Sequence, residues 1–397
     1  MAFATDFMRI AFIGARGIPH GYSSAEQIAL NVGKRLVDRG HNFSVYCRSN
    51  LFTDHSSYFD GIERIFLPSV EHKILGQIIH GFISGIHSIF KDYDVVHVQC
   101  LTNTYQSILP WLFKRNIVIN VDGQEWENPK WPKAPRDVFF KSTVYLSLSM
   151  CREIITDAVG MYDLYVERYM RPSTIIEYGT DIINSSDPTI LKQYGLTPKG
   201  YYFVAARMVP SNQIDVIVDA FKQSGSKRIL ALAGGGDFKS LFFQRLKENT
   251  GERVRFLGLI SDQTHMNELY ANAYAYLHGA TLGGINSALL RPLGAGCPAL
   301  AYNSSFNREV LEMGDKKLCG LVWRNLDELS EEIRHVDRTP SLVQELSGLS
   351  VKQIRRKFTW DLVADQYEVF YRGFVERWPV EKIRSEVAYQ KVKYLVD

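Results

Sequence analysis

No window of this 397-residue chain holds the roughly 18 to 20 consecutive apolar residues that a membrane-crossing helix needs, so no spanning segment is expected. The first residues, MAFATDFMRIAFIG, lack a basic leader region, and their apolar run leads directly into a glycine turn. That pattern predicts a first strand instead of a signal peptide. Strong charge is missing too. The 46 Lys and Arg against 43 Asp and Glu leave a net charge of +3, too mild to argue for nucleic acid, and there is no zinc finger or compact basic recognition helix. Cysteine is sparse: Cys47, Cys100, Cys151, Cys297 and Cys319 form an odd, widely spaced set in apolar surroundings. They read as buried thiols of a reducing compartment, which gives a cytoplasmic expectation and excludes a disulfide framework.

What is present is a globular composition, 46% hydrophobic and 22% charged, long enough for two domains. Residues 8 to 14 read as a strand, 25 to 40 as a helix stopped by Gly40, and NFSVYCRS and IERIFLPS as strands. Residues 74 to 90 have helical spacing, DVVHVQC is a strand, SILPWLFKR a helix, and NIVINVDG a strand ending in a turn. VYLSLSM and STIIEYG read as further short buried strands. A linker-like stretch at 182 to 200 follows, and the pattern restarts with YYFVAARM, a helix at QIDVIVDAFKQSG, and strands at RILALAGGGD, VRFLGLI, YAYLHGA and KKLCGLVW. MNELYANA is a helix among them, and the tail is helical with aromatic anchors. Strands that are nearly continuous in apolar residues and alternate with helices predict parallel sheets covered on both faces. The expected fold class is therefore α/β, two Rossmann-like doubly wound domains facing across a cleft, where ligands bind at the carboxyl ends of strands.

Four places carry candidate chemistry. The loop IGARGIPHGYSSAEQ follows the first strand. Gly14, Gly17 and Gly21 permit tight turns, Arg16 suits a phosphate, and GxGxxG is absent, so a dinucleotide fingerprint is excluded. Glu26, in the first turn of the next helix, reads equally as a capping carboxylate or as a sugar-hydroxyl acceptor. The second place is VDGQEWENPKW, which closes a strand with Asp122, a base or hydroxyl-orienting candidate, or else a turn aspartate. Its tryptophans offer flat faces to a sugar ring. His97 ends another buried strand, either facing the same cleft or satisfied within the core. The third is ARMVPSNQID, where Arg207 sits past a strand and before a helix, placed to grip a diphosphate; AGGGD, with Gly235, follows the next strand. The fourth is HGATLGGINSALLRPLGAGCPALAY, His278 to Tyr302, which sets glycines, Asn286 and Ser287 before a short helix and aims backbone N–H groups at an anion or sugar. It contains no carboxylate.

Taken together, RGIPHGYSSAE, VDGQEW, EYGTD, ARMVPSNQID, HGATLGGINSALLRPLG and FNREV resemble, in order and spacing, the retaining glycosyltransferases of family 4 with the GT-B fold. The subgroup most similar includes bacterial rhamnosyltransferases of polysaccharide assembly. The resemblance implies an acceptor-side domain over 1–185 with a returning helix at about 370–397, and a donor domain over 186–369. It implies that Arg16, Gly17, Gly21, Arg207, Gly235, His278, Thr281, Gly283, Gly284, Ile285, Asn286 and Arg291 meet the nucleotide-diphospho-sugar. Ser23, Ser24, Glu26 and Trp126 would meet the acceptor, and Asp122, His97 and Arg207 would serve catalysis. No metal or other cofactor is implied, because basic side chains and helix N-termini neutralise the leaving diphosphate.

Two departures qualify the implied activity. Thr281 and Arg291 stand where the subgroup carries glutamates, one near the donor sugar and one on the ribose hydroxyls, and Ser23 and Ser24 replace a glycine pair. Arg291 has only donors and cannot accept a ribose hydroxyl. The implied function is retaining transfer of a sugar from a nucleotide-diphospho-sugar to a glycan or lipid-linked glycan acceptor. The alternative is a catalytically impaired subunit that binds a ligand or a partner transferase. A lipid-linked acceptor would bring the first domain to the cytoplasmic face of a membrane, through residues 74 to 90 with Lys114, Arg115, Lys130 and Lys133; the simpler reading makes 74 to 90 a sheet-covering helix.

Overall fold

The computed structural model describes residues 7–19, 23–72, 75–121, 133–236, 239–248, 250–281, 284–285, 287–314 and 317–395, without the side chains of 133–135. The chain divides into two compact units, Met1–Gly179 with Trp360–Asp397, and Thr180–Thr359. The first division falls six residues before the expected 185, and the return begins ten residues before the expected 370. Gly179 shows why the return begins at Trp360: a Cβ there would stand 2.7 Å from the Trp360 indole, so only glycine lets the outgoing chain pass against the incoming one.

The first unit is built on one eight-stranded sheet. Its strands are β1 (Arg9–Ile13), β2 (Asn42–Arg48), β3 (Tyr58–Phe59), β4 (Ile62–Leu67), β5 (Val95–Gln99), β6 (Ile117–Asn120), β7 (Ile154–Thr156) and β8 (Thr174–Ile175). They lie in the order β3-β4-β2-β1-β5-β6-β7-β8, and only β3 is antiparallel to its neighbour. The connecting helices are α1 (Ser24–Asp38), α2 (Leu75–Ile89), α3 (Ile108–Leu112), α4 (Lys133–Met150) and α5 (Val159–Tyr169). β5 is buried at all five residues, as a parallel strand covered on both faces requires. VYLSLSM, expected as a strand, is instead the end of α4. Phe140, Thr143, Val144, Ser147 and Met150 are its buried residues, and steps of three and four are the helical period. The buried strand of this region is β7, just beyond it.

The second unit carries a six-stranded parallel sheet, β9 (Tyr201–Ala205), β10 (Ile229–Ala233), β11 (Val254–Gly258), β12 (Ala275–His278), β13 (Ala299–Tyr302) and β14 (Leu321–Trp323), in the order β11-β10-β9-β12-β13-β14. Its helices are α6 (Ile214–Ser224), α7 (Leu241–Glu248), α8 (Gln263–Asn272), α9 (Ser287–Gly294), α10 (Ser305–Leu311), α11 (Leu326–Arg338) and α12 (Pro340–Lys357). The strand order reverses direction at β9 and β12, the switch point at which ligands bind in open α/β sheets.

Two last helices, α13 (Trp360–Val375) and α14 (Val380–Tyr394), return to the first unit. α13 lays Tyr367 and Tyr371 over the sheet, where Asn120 Nδ2 donates to the Tyr367 hydroxyl at 3.2 Å. α14 is fastened by Arg384, which grips the buried Glu153 carboxylate through Nε at 2.9 Å and Nη2 at 2.6 Å. The five cysteines form no disulfide, and all but Cys100 are buried.

Candidate functional site

In the second unit, three loops leave the carboxyl ends of β9, β10 and β12 and lock together. Gly234 adopts φ +146°, its N–H donates to Gly258 O at 2.8 Å, and a Cβ on it would stand 1.9 Å from Ala206 O. A Cβ on Gly279 would stand 2.3 Å from Asn212 O. Both positions therefore demand glycine so that backbone can meet backbone. Gly235 is different: among the described residues a Cβ on it would touch only Leu259, at 3.7 Å.

Arg207 sits on the first of these loops. Asn212 Nδ2 donates to the Arg207 carbonyl at 2.8 Å and fixes its backbone. The guanidinium is exposed and makes no hydrogen bond or ion pair among the described residues. An unengaged, planar fork on a rigid strand-end loop suits a phosphate or diphosphate.

The loop after β12 is held from two sides. Thr281 donates its backbone N–H and its hydroxyl to Ser211 O, and Gln213 Nε2 donates to Gly279 O at 3.2 Å. Asn307, a residue sequence reasoning left without a role, donates through Nδ2 to Ala280 O at 3.1 Å and to Tyr302 O at 2.9 Å, tying the ends of β12 and β13 together. His278 is buried and stacks on Tyr276, with ring centroids 5.9 Å apart. Burial lowers its pKa to about 4, so the ring is neutral at pH 7, and its Nε2 has no partner among the described residues. Ile285 is buried and Gly284 half-buried. Gly283 and Asn286 lie outside the described residues.

Arg291, expected at the donor, is engaged within its own unit: its Nη2 donates to the side-chain oxygens of Gln263 and Asn267 on α8, and its guanidinium lies 5.5 Å from the Tyr270 ring centroid. α9 places this arginine against a neighbouring helix that offers acceptors and an aromatic face, a structural use of the side chain.

In the first unit, the loop after β1 is packed just as tightly. A Cβ on Gly17 would lie 2.7 to 2.9 Å from Phe52 and Cys47, so the glycine at φ +128° serves close packing. Glu26 is buried; its Oε1 accepts the Arg16 N–H at 2.8 Å, and its Oε2 accepts the Ser23 hydroxyl. This corrects the acceptor-binding expectation for Glu26 and engages the Ser23 hydroxyl as well: the carboxylate organises the loop it sits in. Ser24 begins α1. Arg16 stays exposed, and with Arg48 and Glu71 it lines a cavity of about 320 Å³. Arg48, missed in the sequence reading, sits at the carboxyl end of β2, a position that was itself a signal. Burial lowers its pKa, the Arg16 charge lowers it further, and Glu26 opposes both.

His97 is also corrected. It is fully buried on β5, stacked on Phe12 at 4.8 Å, with Nε2 3.1 Å from Gln99 Oε1 and Nδ1 2.9 Å from the Tyr371 hydroxyl. Burial lowers its pKa to about 4. Both ring nitrogens are engaged under α13, so His97 is a core residue and not a catalytic one. Asp122, Trp126 and Gly21 lie outside the described residues. Among the described residues, no three His, Cys, Asp or Glu side chains are grouped to hold a metal ion, and no helix is long and apolar enough to cross a membrane.

Residues 186–347 match the family described as glycosyl transferases group 1. That span lies within the second unit and covers less than half of the chain. No curated protein matches the sequence. Among solved structures, sucrose-phosphate synthase from Thermosynechococcus elongatus superposes with a TM-score of 0.75 at 15% identity, covering 93% of this chain and 100% of that one. HepE of Anabaena, in complex with UDP and glucose, gives 0.73 at 16% identity over 91% of this chain and 98% of its own. The catalytic domain of starch synthase IV from Arabidopsis thaliana, bound to ADP and acarbose, gives 0.70 at 14% over 93% and 99%. At such identities the likeness is one of fold. The protein has the α/β GT-B fold, and its second unit carries the region that matches glycosyl transferases group 1.

Proposed function

We propose that this protein is a glycosyltransferase that moves a sugar from a nucleotide-diphospho-sugar to a glycan or lipid-linked glycan acceptor, with retention at the anomeric carbon. The observation that carries the reading is the exposed, unengaged Arg207 guanidinium on interlocked strand-end loops, inside the span matching glycosyl transferases group 1. Arg207 takes the diphosphate and stabilises the charge that grows on it as the glycosidic bond breaks. Gly235 lets the ligand approach the backbone, and neutral His278 offers its unpartnered Nε2 to a sugar or phosphate oxygen. Retention follows if the acceptor attacks on the face the leaving phosphate departs from, with that phosphate taking the acceptor proton; no protein nucleophile is then required. The first unit holds the acceptor, with Arg16 and Arg48 beside it. HepE with UDP and glucose, and starch synthase IV with ADP and acarbose, show this fold accommodating nucleotides and sugars in other proteins. The finer assignment to family 4 and its rhamnosyltransferase subgroup rests on the sequence motifs alone.

A second reading, a non-catalytic subunit that binds a nucleotide and assists a partner transferase, is favoured by one observation. Neither replacement of the expected glutamates supplies a free group, since Thr281 is bonded to Ser211 and Arg291 to α8. The two readings separate when purified protein is given UDP-, GDP- and dTDP-sugars with and without glycan acceptors. Release of nucleoside diphosphate that Arg207→Ala abolishes supports transfer. Nucleotide binding without turnover on any donor supports the subunit, and absence of nucleotide binding overturns both.

A further inference from the structure

α2 is amphipathic the wrong way round. Gly76, His80, Gly81, Ser84, Gly85 and Ser88 are the residues it buries. A Cβ on Gly85 would fall 2.5 Å from Gln106 O and one on Gly76 2.5 Å from Val70 O, so the close backbone approach requires these glycines inside, and Gly81 leaves room for the Gln106 side chain. The apolar side chains point out instead: Ile78, Ile79, Phe82 and Ile86 are exposed along the helix, and Phe90 just past its end is 80% exposed. The exposed face continues onto the end of α3 through Trp111, Leu112 and Phe113. Arg115 joins the two helices, donating through Nη2 to Ile89 O at 2.6 Å. A contiguous apolar face of this kind marks an interaction surface.

What borders it selects the partner. Next to Trp111 and Leu112 opens a cavity of about 530 Å³, lined by Lys114, Arg115, Arg152 and Arg377 over an apolar floor of Ile117, Met150 and Phe374. Among the described residues, no carboxylate lines it. Arg115 Nε is buried without a partner among the described residues. The Arg152 guanidinium lies 5.0 Å over the Phe374 ring, and its charge is disfavoured by burial first and by the nearby Arg377 charge second. The acid next to Arg152 in sequence, Glu153, is taken by Arg384. Four cations are thus held together, open to an anion, at the amino-terminal ends of β6 and β7, the sheet edge opposite the Arg16 loop. Apolar side chains beside a cationic pocket match the section of a bilayer from acyl chains to phosphate. A second copy of this chain would bring like charges together.

We propose that this face of the first unit seats the protein on an anionic phospholipid membrane, with the outward side chains of α2 and α3 entering the acyl boundary and the four cations taking lipid phosphates. This assignment stands on the first unit alone and does not depend on sugar transfer. Lys130 and the Lys133 side chain, earlier candidates for such a face, lie outside the described residues.

The test is sedimentation of the full chain with vesicles of phosphatidylcholine, with and without phosphatidylglycerol. The chain is expected to co-sediment with the anionic vesicles and not with the neutral ones, and the R152E/R377E pair is expected to weaken partitioning on the order of tenfold or more. Phe90→Ser, at a side chain that packs little, is a second variant that keeps the fold and weakens binding to the same vesicles. Circular dichroism melting checks that each variant is folded. Binding equal on neutral and anionic vesicles, no binding to either, or binding unchanged in folded R152E/R377E and Phe90→Ser overturns the proposal. So does a dimer in solution that Phe82→Ser dissociates while no vesicle is bound.

Discussion

Thr281 gives both of its donors to one acceptor: its backbone N–H and its hydroxyl each reach Ser211 O at 3.1 Å. The loop after β12 is thereby pinned to the loop after β9, and the hydroxyl at the expected glutamate position points into protein. Thr281→Val keeps the shape and the backbone bond and loses one neutral hydrogen bond. It is expected to cost about 1 kcal/mol in denaturant unfolding and to leave nucleotide affinity, read by calorimetry, within about threefold because the hydroxyl is committed to Ser211 O. Loss of nucleotide binding in a folded T281V protein would show that the hydroxyl turns to the ligand.

Two neighbouring glycines are expected to behave oppositely. Gly234→Ala forces a Cβ to 1.9 Å from Ala206 O at φ +146°, and unfolding measurements are expected to show a loss on the order of 2 to 4 kcal/mol. Gly235→Ala meets, among the described residues, only Leu259 at 3.7 Å and is expected to stay within about 0.5 kcal/mol of the parent. If the backbone at 235 approaches the donor, the same alanine weakens nucleotide binding in a protein of normal stability. Equal stability of the two variants would refute the interlocked-loop geometry.

Strand after strand was legible because a parallel strand covered on both faces must be apolar throughout, as at VVHVQ and ILALA. VYLSLSM was not: seven residues alternate and also fit a helical face, and only packing along the whole of α4 decides between them. The position of Arg207 was legible from local order, strand then loop then helix. The roles of Arg291 and Glu26 were not, because each depends on partners elsewhere: Arg291 on side chains 24 and 28 residues away, Glu26 on the backbone of Arg16. His97 was left open between cleft and core by its strand. α13, arriving from 274 residues further along the chain, closed over it. Periodicity finds α2 but cannot say which face is inward; glycines against Gln106 settle that.

The Arg384–Glu153 pair makes a separate test of how α14 is held. Glu153 is fully buried, accepts the Thr174 hydroxyl at 2.9 Å as well as both Arg384 nitrogens, and has its pKa raised by burial against the pull of that guanidinium. Arg384→Met leaves an unpaired carboxylate in the core and is expected to lower first-unit stability by about 3 to 5 kcal/mol. Adding Glu153→Gln removes the stranded charge and is expected to recover a large part of that loss. A double-mutant cycle in urea reads the coupling; additive losses would mean that the carboxylate is not stranded.

Four imidazoles with lowered pKa values set the pH dependence, three of them buried and the fourth, His87, half-buried and lowered mainly by burial. Burial lowers His80, His97 and His278 each to about 4, against about 6.5 for an unfolded histidine. Between these values the unfolded chain binds more protons than the folded one, so stability rises with pH through this window. It is fully present above about 6.5 and is lost progressively as pH falls towards 4, with a slope approaching ~1.4 kcal/mol per pH unit for each group. Glu368, lowered to about 2 by its hydrogen bond to His41 and by Arg39, adds a loss of the same sign in a lower window, beginning only below about 4.5. Melting temperature is therefore expected to fall between pH 7 and pH 5, with Glu153, whose pKa burial raises, offsetting part of the fall. His97→Phe keeps a ring on Phe12 and is expected to flatten the slope of the first unit, whereas His278→Phe flattens that of the second. A slope unchanged in both variants would mean that the imidazoles titrate normally in the folded protein, and hence that water reaches them.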